Sequence, residues 1–310
     1  MMLVAALLAV GCEKEIPLDT EGLEPKVVVN GSVEEGIPLT VRLTYSRLIY
    51  GWHDEYEEYT FDEIDNATMG LTVNGQECGG AMTADGGNYR FGYVPQEGDR
   101  IGLRVSVPGH DELSASTVVP HKPVLGDMRL SQYNTSEERA TIDVRFRLDD
   151  PAAETDYYRL RVYLHDTMYI RYVDSDGDTV TEEYAEEPTR QYFACDDAAI
   201  VSLGIDDVSI DEVPTYGTLY FTDNNINGES HDIHLSFSQW MLSCDRKMYV
   251  EVEVVSMTRD RFLYEQSVDA ALNGDDLGLF EEPVPVHCNI TNGIGIFAGM
   301  TTGKIKAEVQ

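Results

Sequence analysis

The sequence predicts a mainly β protein made of two antiparallel β-sandwich domains, immunoglobulin-like or transthyretin-like, with one helix inserted late in the second. Short segments rich in β-branched and aromatic residues alternate apolar and polar side chains, the period of a strand with one buried face. Gly, Asn, Asp and Pro separate these segments, and no long helical pattern lies between them. The chain has 310 residues, 42% of them apolar, which is enough for two domains with cores.

The first domain is predicted over residues 26–120. Its strand segments end at turn residues, as Met69–Val73 does at Asn74-Gly75, and they are Val27–Asn30, Leu39–Tyr45, Met69–Val73, Arg100–Val107 and Leu113–Val119. Pro120 and Pro123 follow closely on each other, and proline ends strand pairing and stiffens a connection. We therefore place the domain boundary there.

The second domain is predicted over residues 121–310. Its strand segments again alternate apolar and polar residues, and they are Ala140–Leu148, Tyr157–Leu164, Leu235–Phe237 and Lys247–Val255. Asp149-Asp150-Pro151 is interpreted as a turn after the first of them. Residues Thr258–Leu272 carry a one-sided apolar face typical of a helix, which Asn273-Gly274 would end.

The first twelve residues form an apolar segment that ends at Cys12 and is followed at once by charged residues. About ten apolar residues are too few to cross a bilayer, but they suit the core of a secretory signal. Ala9-Val10-Gly11-Cys12 resembles the bacterial lipobox, in which cleavage before the cysteine frees it for lipid attachment. We expect residues 1–12 to be a lipoprotein signal segment with a lipid such as palmitate on Cys12, and residues 13–25 to be a tether. The alternative is an ordinary N-terminal strand or helix with an incidental cysteine.

The charge balance is strongly acidic, with 56 Asp and Glu against 22 Lys and Arg and a formal net charge of −34. Such a surface repels phosphate backbones, which argues against nucleic acid as a partner. It also disfavours attachment to anionic lipid through protein charge, so we expect membrane contact only through the N-terminal lipid. Solubility explains the charge without a ligand, and a role in binding cations or a cationic partner is the alternative. No cofactor is expected.

Four cysteines remain after Cys12, namely Cys78, Cys195, Cys244 and Cys288. In an exported protein they are compatible with two disulfides in any of three pairings, and free buried thiols are an equal alternative. None of their spacings resembles a zinc ligand set. The sequence also contains no metalloprotease, serine-hydrolase or P-loop motif. The absence of these motifs makes an enzyme less favoured but does not exclude one.

Two polar segments place carboxylates at turn positions. Asp174, Asp176 and Asp178 alternate as they do in a calcium loop, but both flanks have the composition of strands. The tip of a hairpin is therefore the favoured interpretation, and a weak surface Ca²⁺ site is the alternative. The other segment, Phe221 to Gly228, is interpreted as a turn whose Asx side chains bond to the local backbone.

Two runs combine carboxylates with tyrosines, one around Tyr56 and Tyr59 and one around Tyr184. Exposed aromatic side chains supply contact area, and neighbouring charges steer encounter with a partner. These three tyrosines are our candidates for partner binding, and ordinary solvated loops are the alternative.

Three segments match a known family in order and spacing, and they are Cys12-Glu13-Lys14-Glu15-Ile16 with Pro25–Gly31, Asp149-Asp150-Pro151 with Asp156-Tyr157-Tyr158, and Asn289–Phe297. Together they resemble an uncharacterised lipoprotein family of Bacteroidota, catalogued as domain of unknown function 4249. The resemblance covers essentially the whole mature chain. It implies an outer-membrane lipoprotein, often encoded near TonB-dependent transporters, with no established chemistry. Glu13 and Glu15 fit loosely with display on the cell surface.

The leading hypothesis is a lipid-anchored outer-membrane protein that catalyses nothing and binds a partner or ligand beside a TonB-dependent transporter in nutrient uptake. The transporter is an expectation from the family resemblance. One rival is an extracellular hydrolase that uses paired carboxylates from separate loops. A deep pocket with two carboxylates of shifted pKa would favour that rival. A purely structural surface protein is the other alternative.

Overall fold

The computed structural model describes residues 24–47, 61–80, 83–136, 139–152, 154–201, 215–240, 245–273 and 285–309. Within these ranges the chain is mainly β-strand and contains one helix. The elements in chain order are β1 (Val27–Glu34), β2 (Thr40–Tyr45), β3 (Asp62–Glu63), β4 (Thr68–Val73), β5 (Gln76–Gly80), β6 (Thr83–Asp85), β7 (Asn88–Arg90), β8 (Arg100–Ser106), β9 (Leu113–Val118), β10 (Val124–Asn134), β11 (Arg139–Asp149), β12 (Tyr157–Val173), β13 (Thr179–Ala185), β14 (Thr189–Gln191), β15 (Phe193–Ala194), β16 (Thr215–Tyr216), β17 (Leu219–Thr222), β18 (Ser230–Trp240), β19 (Asp245–Met257), α1 (Arg259–Asn273) and β20 (Ile294–Glu308).

The described strands form three sheets. The largest has 11 strands, and its main path runs β13-β12-β19-β20-β1-β2-β7-β6, with β14 and β17 beside β12 and β3 beside β2. A five-stranded sheet runs β10-β11-β18-β15-β16, and a four-stranded sheet runs β5-β4-β8-β9. The largest sheet shares an apolar core with each of the two smaller ones.

Strand β20 joins the two halves of the largest sheet. Its first half pairs in parallel with β1, from Val28 opposite Ile294 onward, and its second half pairs antiparallel with β19. Gly295 has a φ of 113°, and a Cβ there would lie 2.1 Å from the Val29 carbonyl oxygen. Only glycine fits at this point, because it alone accepts both the backbone conformation and the close approach.

Each smaller sheet covers its own apolar core. Strand β11 alternates buried and accessible residues along its length, as a strand with one buried face must. Its buried side chains pack with β12, β18 and β19 in one core, and β1, β2, β4 and β8 contribute to the other. The second core also includes Ile290 and Phe297 from the end of the chain. The division into domains 26–120 and 121–310 stays a prediction.

Helix α1 packs on the face of the largest sheet that points away from the five-stranded sheet. Phe262 contacts the ring of Tyr157 on β12, with the ring centroids 5.1 Å apart. Buried Arg159 donates to Glu265 of the helix at 2.7 Å, and Arg261 donates to the same carboxylate at 2.6 Å. Burial opposes ionisation of Glu265, but these two guanidinium groups hold the pKa of its carboxyl below the usual range.

The predicted fold class is confirmed, since the described chain is mainly β with one helix late in the sequence. The helix expected over Thr258–Leu272 is observed over Arg259–Asn273. No helix in the described part of the chain has the length and apolar character needed to cross a bilayer.

Replacing Glu265 with alanine should lower the free energy of unfolding by about 3 kcal/mol, because buried Arg159 would lose its close partner and keep only the Glu253 carboxylate, 3.9 Å away. Chemical denaturation measures the change. Gln266→Ala, an exposed neighbour on the same helix, is the matched control and should change stability by less than about 0.5 kcal/mol. Equal effects of the two substitutions would contradict the prediction.

Candidate metal centre

Three aspartates meet at one end of the sandwich formed by the five-stranded and largest sheets. Asp150 and Asp156 are each 7% exposed and Asp223 is 0% exposed. One carboxylate oxygen from each lies within 4.8 Å of the other two. We call this group the aspartate centre.

The strand topology brings these residues together. Asp150 directly follows β11 in the five-stranded sheet, and Pro151 after it cannot continue the strand ladder. Asp156 directly precedes β12, and Asp223 directly follows β17. Because β12 and β17 pair antiparallel with Tyr157 opposite Thr222, Asp156 and Asp223 lie side by side at the same end of the two strands. The Asp223 backbone N–H donates to the Asp156 carbonyl at 3.2 Å. The centre therefore links both layers of the sandwich.

The Asp150 carboxylate is held by two donors. Tyr158 Oη donates to Asp150 Oδ1 at 2.7 Å, and the Gly228 backbone N–H donates to Oδ2 at 3.0 Å. Gly228 has a φ of 75°, and a Cβ there would lie 2.6 Å from the Ala152 Cβ. Glycine is required here, since a side chain would be strained and would displace the loop that carries Asp150.

The other two carboxylates are poorly satisfied. Both carboxylate oxygens of Asp223, and Oδ2 of Asp156, are buried without a hydrogen-bond partner. Buried polar atoms are nearly always paired, so three unpartnered carboxylate oxygens at one place need an explanation.

His121 closes the fourth side of the centre. Its Nδ1 lies 3.4 Å from Asp156 Oδ1 and its Nε2 lies 3.2 Å from Tyr158 Oη. Thr301 Oγ1 donates to the His121 carbonyl at 2.7 Å and so holds the segment between β9 and β10. Burial lowers the pKa of His121, against the opposing charge of Asp150 and other carboxylates, so the ring is neutral at neutral pH.

The acidities of the aspartates reflect this environment. Burial raises the pKa of Asp156 to about 7, and the charges of Asp150, Asp223 and Glu154 add to the rise. Burial also raises the pKa of Asp223, and the charge of Asp150 adds to the rise, while the backbone N–H groups of Asp156 and Asp223 oppose it. Within the described residues, no lysine or arginine forms an ion pair with any of the three. Protonation or a bound cation is therefore needed to balance the buried charge.

The donor set defines the chemistry available. Carboxylate oxygens are the ligands of hard cations such as Ca²⁺ and Mg²⁺. The residues that could hold such an ion are Asp150, Asp156 and Asp223. In the absence of an ion, the same groups can share a proton, as closely spaced carboxylates do.

The sequence-predicted site residues lie elsewhere. Cys12, Tyr56 and Tyr59 lie outside the described residues. Tyr184 is exposed on β13. The predicted calcium segment forms the turn between β12 and β13, where Asp174 Oδ1 accepts from the backbone N–H groups of Asp176 and Asp178. This is the hairpin-tip geometry, and Ca²⁺ binding there stays a prediction.

The cysteines form no bridge among the described residues. Cys78, Cys195 and Cys288 are free, with Cys195 buried and the other two exposed, and Cys244 lies outside the described ranges. Burial raises the pKa of the Cys195 thiol, which keeps it in the unreactive protonated form.

Sequence reasoning missed the aspartate centre because its members lie in two separate turns. The turn at Phe221 to Gly228 does form, with the Ile226 N–H donating to the Asp223 carbonyl at 2.7 Å. The Asp223 side chain forms no well-aligned hydrogen bond to the local backbone, and its carboxylate joins the centre. The available signal was an aspartate at the end of each of two strand segments.

Replacing Asp156 with asparagine should stabilise the protein in EDTA at about pH 8. The unfolded carboxyl ionises near its usual pKa but the folded one near 7, so folding stability falls as pH rises between these values. The loss is at most about 4 kcal/mol and is complete above the folded pKa. Asparagine stays neutral and avoids it.

Thermal unfolding across pH in EDTA measures this difference. The melting temperature of Asp156→Asn should exceed that of the wild type at about pH 8, and the two should converge at about pH 4. Asp232→Asn, an exposed change on β18, is the matched control and should show no such trend. A constant difference at every pH would refute the assigned cause.

The comparisons with known proteins give a family but no activity. No curated protein matches this chain. The collagen binding domain of the Erysipelothrix rhusiopathiae surface protein RspB is 9% identical, with 90% of this chain and 96% of that one covered and a TM-score of 0.15. A structure described as a pore forming protein is 7% identical, with 77% and 90% covered and a TM-score of 0.13. Neither likeness is close enough to carry an argument. The family model for the domain of unknown function DUF4249 matches residues 13–306, so the chain belongs to that family.

Proposed function

We propose that this chain is a non-catalytic binding protein, anchored to the outer membrane by lipid on Cys12, that acts beside a TonB-dependent transporter in nutrient uptake. The observation that carries the binding role is the hairpin of β12 and β13 at the edge of the largest sheet, which exposes apolar and aromatic side chains. The transporter comes from the resemblance between this chain and its family.

The outer part of the hairpin pairs β12 with β13. Among the described residues, β12 pairs with β19 as far as Tyr169, and its pairing with β13 continues to Val173 opposite Thr179. Within the described ranges, which leave out residues 241–244 before β19, this outer part is a ribbon of β12 and β13.

One face of this ribbon combines aromatic contact area with negative charge. Ile170, Tyr172 and Tyr184 are exposed, and they alternate along the two strands so that they share a face with Glu182. Tyr172 Oη donates to Glu182 Oε1 at 2.6 Å, and Tyr184 Oη donates to the other oxygen of the same carboxylate. These bonds fix the two rings, so less side-chain entropy is lost on binding.

The charge around this face defines the partner. Acidic side chains flank it on the same hairpin and in the segment that follows, and they are Asp174, Asp176, Asp178, Glu183, Glu186 and Glu187. A basic protein surface with apolar gaps is complementary to such a rim. Association should therefore weaken as the salt concentration rises.

The lipid anchor is compatible with reach to a neighbouring protein. The first described strand begins at Val27, and the segment from Cys12 to that point can span at most about 50 Å when fully extended. A folded domain on such a tether can contact an adjacent membrane protein while its lipid stays in the bilayer.

The aspartate centre favours a binding role over hydrolysis. Asp156 and Asp223 have raised pKa values, as a catalytic acid would, but Asp223 is completely inaccessible to solvent. A saccharide or peptide bond cannot reach hydrogen-bond distance of such a group. The geometry thus supports a role for these carboxylates inside the protein.

Substituting the hairpin tyrosines should reduce recovery of the transporter. In cross-linked, detergent-solubilised membranes from its host, the Tyr172→Ala/Tyr184→Ala variant should retain about a tenth or less of the transporter retained by the wild type, because the aromatic contacts are lost. Tyr133→Ala, an exposed tyrosine on the five-stranded sheet, is the control and should leave recovery unchanged. Equal recovery with all three proteins would reject the hairpin as the binding surface.

Replacing Cys12 with serine should abolish lipid attachment, because serine offers no thiol for acylation. Metabolic labelling with a fatty-acid analogue should give a labelled wild type in the membrane fraction and an unlabelled variant. Cys78→Ser is the matched control and should remain labelled. An unlabelled wild type would reject the proposed anchor.

A further inference from the structure

We propose that Asp150, Asp156 and Asp223 bind one calcium ion, which closes the end of the sandwich between the five-stranded and largest sheets. This inference goes beyond the proposed function and does not depend on the lipid anchor or on the transporter.

The first support is the side chain of Asp223. It is 0% exposed, and neither of its carboxylate oxygens accepts a hydrogen bond of good geometry, although the backbone N–H groups of Asp156 and Asp223 lie near enough to favour its ionised form. The carboxylate has exchanged its hydration for these poorly aligned contacts, which is costly for a charged group. A cation among the three aspartates supplies the missing interaction.

The second support is the balance of charge. The described basic group in contact with the centre is His121, whose Nδ1 lies 3.4 Å from Asp156 Oδ1. No described lysine or arginine forms an ion pair with any of the three aspartates. One imidazole can balance at most one of three carboxylates, so the described residues leave the centre with an excess of negative charge.

The third support is the size of the site. Ca²⁺ binds oxygens at about 2.3–2.6 Å, so two ligands on opposite sides of the ion lie up to about 5 Å apart. The nearest carboxylate oxygens of the three aspartates fall within 4.8 Å of one another, which accommodates Ca²⁺. Mg²⁺ usually keeps several bound waters, and a site that includes the fully buried Asp223 leaves little room for them. The site therefore favours Ca²⁺.

The fourth support is the arrangement around the donors. Tyr158 and the Gly228 backbone N–H orient Asp150 and leave its oxygens with lone pairs free for an ion. Hydrogen-bonded partners of this kind commonly orient metal ligands. The three aspartate side chains offer oxygen and no sulfur, which suits a hard cation and disfavours Cu⁺ and structural Zn²⁺.

An ion at this position would act as a cross-link. Asp150 directly follows a strand of the five-stranded sheet, and Asp156 and Asp223 directly flank strands of the largest sheet. Through Tyr158 and His121 the same site reaches the segment between β9 and β10. Because the unfolded chain cannot assemble the site, binding should stabilise the fold.

Calorimetric titration of EDTA-treated protein with CaCl₂ tests the proposal directly. We expect one tight ion per chain and a rise in melting temperature of roughly 5 °C or more at a hundredfold excess over Kd. Asp223→Asn should weaken that affinity at least tenfold. In EDTA, the same variant should be at least as stable as the wild type, because it removes a buried charge. A purely structural aspartate would not reverse its effect in this way.

Asp174→Asn is the matched control, since it makes the same chemical change in the turn between β12 and β13. It should leave the tight binding step and the calcium-induced melting shift unchanged. If this variant loses the tight step while Asp223→Asn keeps it, the ion binds at the hairpin and the proposal is overturned.

Terbium luminescence gives a second measurement that does not depend on stability. Tb³⁺ replaces Ca²⁺ at oxygen sites and emits when a tyrosine close to it is excited, and Tyr158 lies against the centre. Tyrosine-sensitised emission should appear with the wild type, fall on addition of Ca²⁺, and be absent from Asp223→Asn. If Asp223→Asn does not fold, Asp156→Asn takes its place in each measurement. No tight Ca²⁺ binding by the wild type, or tighter binding of Mg²⁺, would overturn the proposal.

Discussion

The three carboxylates of the aspartate centre share a small volume inside the protein, and the surrounding structure depends on how their charge is compensated. Their nearest oxygens lie within 4.8 Å of one another, and Asp223 has no contact with solvent. An apolar interior tolerates such a group only when protons or cations compensate its charge. The turns after β11 and β17, the start of β12 and the position of His121 all bear on how that compensation is achieved.

The two faces of strand β12 meet this constraint in different ways. On the helix side, Arg159 is buried against Glu265, so both charges are matched by protein groups. On the core side, Tyr158 donates to Asp150, but the neighbouring carboxylates receive no cationic partner from the described residues. One strand therefore has both arrangements. On its helix side the protein itself supplies the counter-charge that stabilises the fold, and on its core side the described residues supply none.

Much of the fold could be predicted from local pattern. Strand β11 and helix α1 fall within a residue or two of the expected bounds, because each has a clear period and a clear stop signal. Strand β12 continues nine residues beyond the expected Leu164, where its alternation is blurred by exposed aromatic residues. Strand β20 was not predicted, since its run of consecutive buried residues and glycines lacks the period of two.

The aspartate centre was beyond prediction for a different reason. In the sequence, Asp150 and Asp156 have the pattern of ordinary turn residues beside a strand. Asp223 has the pattern of a turn residue whose side chain bonds to the local backbone. Their convergence depends on the antiparallel pairing of β12 with β17 and on the packing of β11 against them. A single sequence shows neither the strand pairing nor the packing, because both join residues that are far apart along the chain.

The position of β20 has a consequence for how the molecule is assembled. Synthesis delivers β1 long before β20, yet these two strands are neighbours in the middle of the largest sheet. Phe297 on β20 also packs in the core formed by residues 27–119. Residues 27–119 are therefore not a finished unit when they leave the ribosome. Their core is completed only once β20 has been made, and such distant pairings make folding slow.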